Sequence, residues 1–230
     1  MVRINEFGEI IRPVSSNGGC GCLGFVVLLI LIGTVGNWIS NSPPNLKDFQ
    51  RIVIQENFSN STKGWAVTKG SKIKDGGLFQ LQPKTNLAGW SLWYGHKFKD
   101  VDYSADVTKV GGPNDVPFGI IARKSDDSAS FYYLTITGQG TVLMGTILQG
   151  NWKHKVKVSN DNTVNQGNAR NHLRIVCQDN KILGFVNNQV VGSFQDDSIS
   201  SGLIGVVSER RSGNAVAVYF DNILAKERTN

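Results

Sequence analysis

Short alternating runs of apolar and polar residues constrain this chain more than any other feature. From Arg51 onward such runs follow one another, divided by turn residues, and no amphipathic helical pattern of convincing length interrupts them. In residues 101–108, apolar side chains alternate with Asp, Ser and Thr, which is typical of a strand with one buried and one wet face. About a dozen short strands at regular spacing predict a two-sheet sandwich or a barrel.

Turn chemistry marks where these strands reverse. Asp75-Gly76-Gly77 divides two strand-like arms within residues 71–82, Gln149-Gly150 divides another pair, and Asn187-Asn188 a third. Gly and Asn accept the positive backbone φ that tight hairpin turns require. The sequence therefore predicts antiparallel hairpins throughout this part of the chain.

A second feature precedes the strands. No charged residue occurs between Arg12 and Lys47, and residues 23–39 contain one strongly polar side chain, Asn37. With residues 19–22 this stretch reaches the roughly 20 residues that a helix needs to cross a bilayer. The pattern predicts a transmembrane helix over residues 20–40 in contact with the lipid bilayer, with Trp38 at the interface.

Two other interpretations of this stretch are weaker. A cleaved signal peptide has a shorter apolar run and a small-x-small cleavage site, which this chain lacks. A lipoprotein signal places its cysteine after the apolar run, whereas Cys20 and Cys22 precede it. These cysteines either carry acyl chains at the membrane edge or simply begin the helix.

Basic residues on the two flanks bear on the orientation. Arg3 and Arg12 favour a cytoplasmic N-terminus and an extracytoplasmic β-domain, although Lys47 and Arg51 oppose this. A polar, Pro-containing segment then separates the membrane from the fold. The expected organisation is a tail (1–19), a transmembrane helix (20–40), a linker (41–50), a β-sandwich (51–226) and a C-terminal tail (227–230).

The net charge of +6 lies after the apolar stretch, because two Arg and two Glu cancel before it. Two lysine clusters skip alternate residues, so each would lie on one strand face, either simply solvated or facing an anionic partner. No nucleic-acid motif is present, so we expect no nucleic-acid partner. The two lysine clusters are Lys69, Lys72 and Lys74, and Lys153, Lys155 and Lys157.

Cys177 is the single cysteine of the β region, which excludes an internal disulfide there, and we expect it to be buried.

The order of several short motifs resembles the concanavalin A-like lectin/glucanase superfamily, especially the bacterial branch with laminin-G-like and 3-keto-disaccharide-hydrolase-like domains. The resemblance covers residues 51–226. It implies an all-β fold, a jelly-roll sandwich of two antiparallel sheets with adjacent first and last strands. It also implies a concave sheet whose face or rim often binds sugar. The motifs include Gly64-Trp65, Phe98-Lys99-Asp100, Phe118-Gly119, Phe131-Tyr132-Tyr133, Asn187-Asn188-Gln189 and Phe220-Asp221-Asn222.

Acidic residues offer little support for catalysis. Glycosidases usually need two carboxylates about 5–9 Å apart, and the Glu-x-Asp-x-Glu strand of laminarinase-type members is absent. Asp100, Asp102 and Asp106 share one strand parity and could serve glycosidic chemistry or Ca²⁺, or simply form an exposed strand face. No cofactor is expected, apart from peripheral Ca²⁺ at the loop pairs Asp126-Asp127 and Asp196-Asp197 as an alternative to solvated turns.

Carbohydrate binding needs aromatic platforms and planar polar groups, and the β region supplies both. Tyr132 shares parity with Leu134 and Ile136, which indicates a core position and leaves Tyr133 on the opposite face. The candidate ligand-binding residues are Trp90, Trp93, Tyr94, Arg123, Tyr133 and Trp152.

We therefore expect a membrane-anchored, non-catalytic module that recognises a glycan or another extracellular polymer. One alternative is an accessory subunit of a larger membrane complex, whose helix packs against partner helices through Gly24, Gly33 and Gly36. A third interpretation is a glycoside hydrolase-like enzyme that uses the acidic strand face.

Overall fold

The protein is represented by a computed structural model. It describes residues 42–59, 64–67, 70–81, 89–126, 129–211 and 214–229, together with the backbone of 3–4 and 10–11. The predicted membrane segment 20–40, with Cys20 and Cys22, lies outside the described residues. In the described part of the chain, no helix has the length and apolar character needed to cross a membrane.

Strands dominate the described residues, and a short 3-10 turn, Leu46–Asp48, precedes the sandwich. In chain order the strands are β1 (Arg3–Ile4), β2 (Ile10–Ile11), β3 (Phe49–Glu56), β4 (Ser71–Lys74), β5 (Gly77–Leu81), β6 (Gly89–Phe98), β7 (Val101–Gly111), β8 (Phe118–Lys124), β9 (Phe131–Ile136), β10 (Val142–Leu148), β11 (Asn151–Val158), β12 (Arg170–Gln178), β13 (Lys181–Val186), β14 (Gln189–Gln195), β15 (Gly202–Ser208), β16 (Arg210–Arg211), β17 (Asn214–Ala215) and β18 (Ala217–Arg228).

Two antiparallel sheets form the sandwich. One has six strands in the order β11-β10-β9-β8-β15-β6, and the other has the order β14-β13-β12-β7-β18-β5-β4 with β3 paired to β18 as its eighth strand. Two-residue strands form the small pairs β1–β2 and β16–β17. Phe49 lies opposite Arg228, so the first and last long strands are adjacent. The predicted two-sheet jelly-roll sandwich is confirmed.

The main core lies between the two sheets and follows the period-2 pattern. Tyr132, Leu134 and Ile136 of β9 point into it and are fully buried. Cys177 of β12 lies there as well, as its parity predicts, and burial raises the pKa of its thiol to about 11. The thiol is therefore protonated and unreactive at neutral pH.

One predicted face differs from the structure. The polar side chains of β7, including Asp102, Ser104 and Asp106, are buried rather than wet. Long side chains of β12, above all Arg174 and Arg170, extend across β7 and pair with its carboxylates. The alternating pattern identified the strand, but it could not show that the neighbouring strand covers its polar face.

The predicted turns are present. Asn187 and Asn188 have φ values of 49° and 65°, and Gln149 and Gly150 have values of 51° and 83°. Both pairs therefore have the positive φ at two successive residues that a tight hairpin requires. The lysines of β4 and β11 lie on strands at the edges of their sheets, where charge opposes pairing with other chains; Lys69 lies outside the described residues.

Candidate functional site

Aromatic rings cross the face of the six-stranded sheet that points away from the other sheet. Trp90 comes from β6, Phe131 and Tyr133 come from β9, and Trp152 and His154 come from β11. We call these five side chains the aromatic face. Ring centroids are 6.1 Å apart for Trp90 and Phe131, 6.4 Å for Phe131 and Trp152, and 4.9 Å for Tyr133 and Trp152. All three contacts are strongly inclined, the geometry that aromatic quadrupoles favour.

Strand alternation positions these rings. Because Tyr132 and Leu134 of β9 point into the inter-sheet core, Phe131 and Tyr133 must point to the opposite face. There they belong to a second apolar cluster, which is distinct from the main core. Its aliphatic members are Leu92, Ile121, Leu143, Ile147, Leu203 and Val207.

A glycine lets Tyr133 reach across the middle strand of three. Tyr133 of β9 lies opposite Gly145 of β10, and Gly145 lies opposite His154 of β11. A Cβ atom at Gly145 would be 2.7 Å from the Tyr133 hydroxyl, closer than real Cβ atoms approach another atom. Without that atom, the hydroxyl passes over β10 and lies 2.6 Å from Nδ1 of His154.

The environment of Tyr133 keeps its phenol protonated. Burial raises the pKa of the phenol well above the ordinary value, and the negative charge of nearby Glu209 raises it further. The hydroxyl can therefore donate to Nδ1 of His154 when that nitrogen carries no proton, or to the carbonyl oxygen of Lys153, 3.5 Å away. The same side of β9 also presents Thr135, whose buried hydroxyl oxygen makes no hydrogen bond within the described chain.

One end of the aromatic face is open to solvent. Trp152 is 38% exposed and His154 is also exposed, and we call these two residues the open end. At the opposite edge of the sheet, Tyr94 is 61% exposed and has the same strand parity as Trp90. The Lys124 ammonium lies 6.0 Å from the Trp90 ring centroid, within the range of a cation–π contact.

Four of the six predicted ligand-binding residues thus share one face: Trp90, Tyr94, Tyr133 and Trp152. Trp93 does not, because its parity turns the indole into the main core, where it is 9% exposed. Its indole ring packs directly on Gly64 and Gly95, where any side chain would overlap it. Trp93 is therefore a packing residue in this fold.

Arg123 is also separate from the aromatic face. Its side chain is 1% exposed, and its guanidinium donates to the carbonyl oxygens of Lys99, Asp179 and Ile199 at 2.6 to 3.1 Å. The carboxylate of Asp100 lies 3.3 Å away. One buried cation thereby joins three separate connecting segments. These bonds explain why a charged residue occupies a buried position near the end of β8.

The three predicted acidic residues are all engaged in ion pairs. Asp102 accepts two hydrogen bonds of 2.6 Å from the guanidinium of Arg174. Asp106 pairs with His172 and Arg170, and Asp100 pairs with Arg123. Asp102 and Asp106 lie on the outer face of the eight-stranded sheet, on the opposite side of the molecule from the aromatic face.

Oxygen ligands for Ca²⁺ are sparse in the described residues, which contain no group of three His, Cys, Asp or Glu side chains that could hold a metal ion. Asp196 accepts hydrogen bonds from Tyr132 and Thr146, and Asp126 pairs with Lys97. Asp127 lies outside the described residues. Peripheral Ca²⁺ binding stays a prediction.

Reasoning from the sequence missed Phe131, Gly145 and His154 as parts of this face. Phe131 has the parity of Tyr133, so alternation alone could have identified it. His154 has the parity of Trp152, and the register shift of β11 against β10 lies beyond it, so alternation could have identified it as well. A lone glycine in a strand, by contrast, does not indicate which side chain will pass over it.

Comparison with known proteins identifies a family and several solved structures with a similar fold. The family model described as 3-keto-alpha-glucoside-1,2-lyase-like domain matches residues 55–226. A search of curated proteins finds no match.

Solved structures with this architecture include the carbohydrate-binding module CBM66 from Bacillus subtilis. The TM-score is 0.60 at 16% identity, over 71% of this chain and 96% of that one. A Bacillus subtilis protein described as having a galectin-like fold gives 0.62 at 8% identity, over 79% and 98%. The Bacillus licheniformis β-glucanase gives 0.55 at 10% identity, over 78% and 99%. At these identities the likeness concerns the fold.

Proposed function

Because the chain belongs to the 3-keto-alpha-glucoside-1,2-lyase-like domain family, we propose that its sandwich binds carbohydrate at the open end of the aromatic face. The observation that carries this proposal is the setting of Trp152. Its partly exposed indole contacts Phe131 and Tyr133 on one side and lies beside exposed His154.

A sugar ring presents a flat set of C–H groups and a rim of hydroxyls. An indole offers the matching apolar plane, and an imidazole offers hydrogen bonds to a hydroxyl. Phe131 and Tyr133 already hold the Trp152 ring in place. Binding therefore loses little side-chain entropy, which favours affinity. Tyr94 and Trp90 at the far edge provide a second aromatic position for a longer chain.

The structural neighbours support the proposal at the level of fold. They include one protein described as a carbohydrate-binding module and one described as a β-glucanase. We further propose that residues 20–40 hold the module at a bilayer, for which the uncharged apolar stretch is the support. Residues 41–50 would then serve as the linker.

The test is glycan binding by the full chain, measured on an array and then by titration with each glycan that binds. We expect Trp152→Ala to reduce affinity about tenfold or more, since stacking platforms supply much of the binding energy in such sites. Ile52→Ala, an exposed apolar residue on the other sheet, serves as the matched control and should bind normally. Binding that is unaffected by Trp152→Ala would contradict the proposal.

A second candidate function is catalysis on a glycoside. Tyr133, His154 and Glu209 place a donor, an acceptor and a negative charge together, and such groups can transfer protons. The observation that favours this candidate is the 2.6 Å hydrogen bond from Tyr133 to His154. Incubation of the full chain with a 3-keto-glucoside and analysis of the sugar products would test it, with His154→Ala as the inactive variant.

A further inference from the structure

A separate cleft of about 520 Å³ opens on the outer face of the eight-stranded sheet. Its walls come from β3, β7, β12 and β18 and include Glu56, Ser104, His172 and Asn222. We propose that this cleft is a second carbohydrate site that holds one neutral hexose residue, with Nε2 of His172 and the hydroxyl of Ser104 as its hydrogen-bonding groups.

The carboxylate of Asp106 orients the ring of His172. Nδ1 of His172 lies 2.8 Å from a carboxylate oxygen of Asp106, and the His172 backbone N–H separately donates to Oδ1 of Asn187 at 2.8 Å. Since an ionised carboxylate can only accept, Nδ1 of His172 carries the proton. In the neutral ring Nε2 is then an acceptor, and no described residue hydrogen-bonds to it.

Asp106 keeps its negative charge in this position. Burial alone would raise the pKa of its carboxyl, but hydrogen bonds from Asn222, His172 and Arg170 outweigh burial and lower it. Asn222 donates from Nδ2 to Asp106 at 2.7 Å. Because this bond fixes the amide, Oδ1 of Asn222 is left as an acceptor for another group.

The backbone conformation at Asn222 places its side chain at the cleft. Its φ is 48°, and the pairing of β18 with β7 shifts register between Asp221 and Leu224. Asn is one of the few residues that accept this left-handed conformation. The resulting bulge brings the Asn222 amide to the wall of the cleft beside His172.

Ser104 provides a second hydrogen-bonding group in the cleft. Its residue is 7% exposed, but its hydroxyl oxygen is not among the buried, unpartnered oxygens of the described residues. Because Ser104 lines the cleft, its hydroxyl is open to a ligand there and can both donate and accept.

The charges of the cleft disfavour an anionic ligand. Asp106 is compensated by Arg170, whereas Glu56 has no ion pair within the described residues and uses one oxygen to accept the N–H of Phe58 at 2.6 Å. The carboxylate of Glu56 can accept a sugar hydroxyl, and no Lys or Arg is among the lining residues to attract a sulfated or phosphorylated sugar. The volume lies toward the lower part of the range of about 300–1,000 Å³ for small-molecule sites, as suits one sugar ring.

This site does not depend on the proposed function of the aromatic face, because the two lie on opposite sheets. Glucose, galactose and fructose are the probes, each titrated into the full chain while the histidine side-chain nitrogen signals are recorded by NMR. We expect at least one hexose to shift the Nε2 signal of His172 saturably.

Ser104→Ala, followed by the His172 signal, and His172→Gln, followed by isothermal titration calorimetry, should each weaken binding of that hexose about fivefold or more, the value of one lost hydrogen bond. Ser193→Ala on the same sheet and His96→Gln are the matched controls and should leave binding unchanged by both methods, as should Trp152→Ala. Absence of a saturable shift with all three hexoses would overturn the inference. Loss of hexose binding in Trp152→Ala, or full affinity in both cleft variants, would overturn it equally.

Discussion

The hydroxyl of Tyr133 hydrogen-bonds to Nδ1 of His154 although an entire strand, β10, lies between the two residues. The contact exists because Gly145 leaves the surface of that strand bare. Three residues on three strands therefore form one unit, and a change at the middle residue should be felt at both outer ones.

Gly145→Ala should disrupt this unit. The new methyl group would overlap the Tyr133 hydroxyl and the Lys153 carbonyl oxygen, and the second of these is backbone that cannot rotate away. We expect a loss of about 1–3 kcal/mol in the free energy of unfolding, typical of overpacking. Urea denaturation measures it.

Gly111→Ala is the matched control for that substitution. Gly111 is also a strand glycine, but a Cβ atom there would lie 3.7 Å from Cβ of Ala217, an ordinary contact. If the two variants are equally stable, the close passage of Tyr133 over β10 is not what requires glycine at 145.

Arg123 should be intolerant even of lysine. An ammonium group cannot reproduce the planar arrangement that bonds to three carbonyl oxygens and Asp100 at once. Arg123→Lys should lower the free energy of unfolding by about 3 kcal/mol, within the range for broken buried ion pairs. Arg51→Lys, at an exposed ion pair with Glu227, should cost under about 1 kcal/mol. Similar losses for both variants would show that the buried Arg123 network adds no more stability than an exposed ion pair.

Buried tyrosines should make the protein sensitive to alkali. Burial raises the pKa of Tyr132 to about 12 and raises the pKa of Tyr103 and Tyr133 still further. In the unfolded chain each phenol ionises near pH 10, so above about pH 10 only the unfolded state gains by losing these protons. Stability should therefore be intact below about pH 10 and fall as the pH rises.

The slope of that fall identifies the residues responsible. Above about pH 10 and below its folded pKa, each such tyrosine lowers the free energy of unfolding by about 1.4 kcal/mol per pH unit. Tyr132→Phe should flatten the dependence of the unfolding free energy on pH by about this amount, whatever it does to stability at neutral pH. An unchanged slope would contradict the assignment.

Asp106 should produce the opposite dependence in acid. Its hydrogen bonds lower the pKa of its carboxyl in the folded state. The stability that Asp106 contributes is therefore fully present above the pKa of an Asp in the unfolded chain, about 4. That contribution is lost as the pH falls through the folded pKa. Asp106→Asn should therefore give a shallower loss of stability in acid, measured by denaturation at a series of pH values.

The sheet architecture was accessible from the sequence because alternation and turn residues are local signals. Tyr132 and Tyr133 were correctly assigned to opposite faces on parity alone, and the adjacency of β3 and β18 followed from the family resemblance. The positive φ of Asn187 and Asn188 likewise reflects residue types that suit a tight turn.

The candidate site was less accessible because it depends on contacts between distant strands. Parity separates Trp93 from Trp90 and Tyr94, but it cannot show that the indole packs on Gly64 and Gly95. Nor can it show that the guanidinium of Arg123 donates to three loop carbonyl oxygens. The wet face expected for β7 was wrong for the same reason: the covering arginines belong to β12, more than sixty residues away. Which side chain reaches which neighbour is a property of the assembled sheets.

The pairing of β3 with β18 also couples the two ends of the β-sandwich. Residues 42–48 enter β3 at Phe49, which lies opposite Arg228 near the end of β18, and the Arg51–Glu227 and Asp48–Arg228 ion pairs reinforce that end of the ladder. Fraying of either strand end removes the partners of the other, so the first and last strands of the sandwich should open together rather than independently.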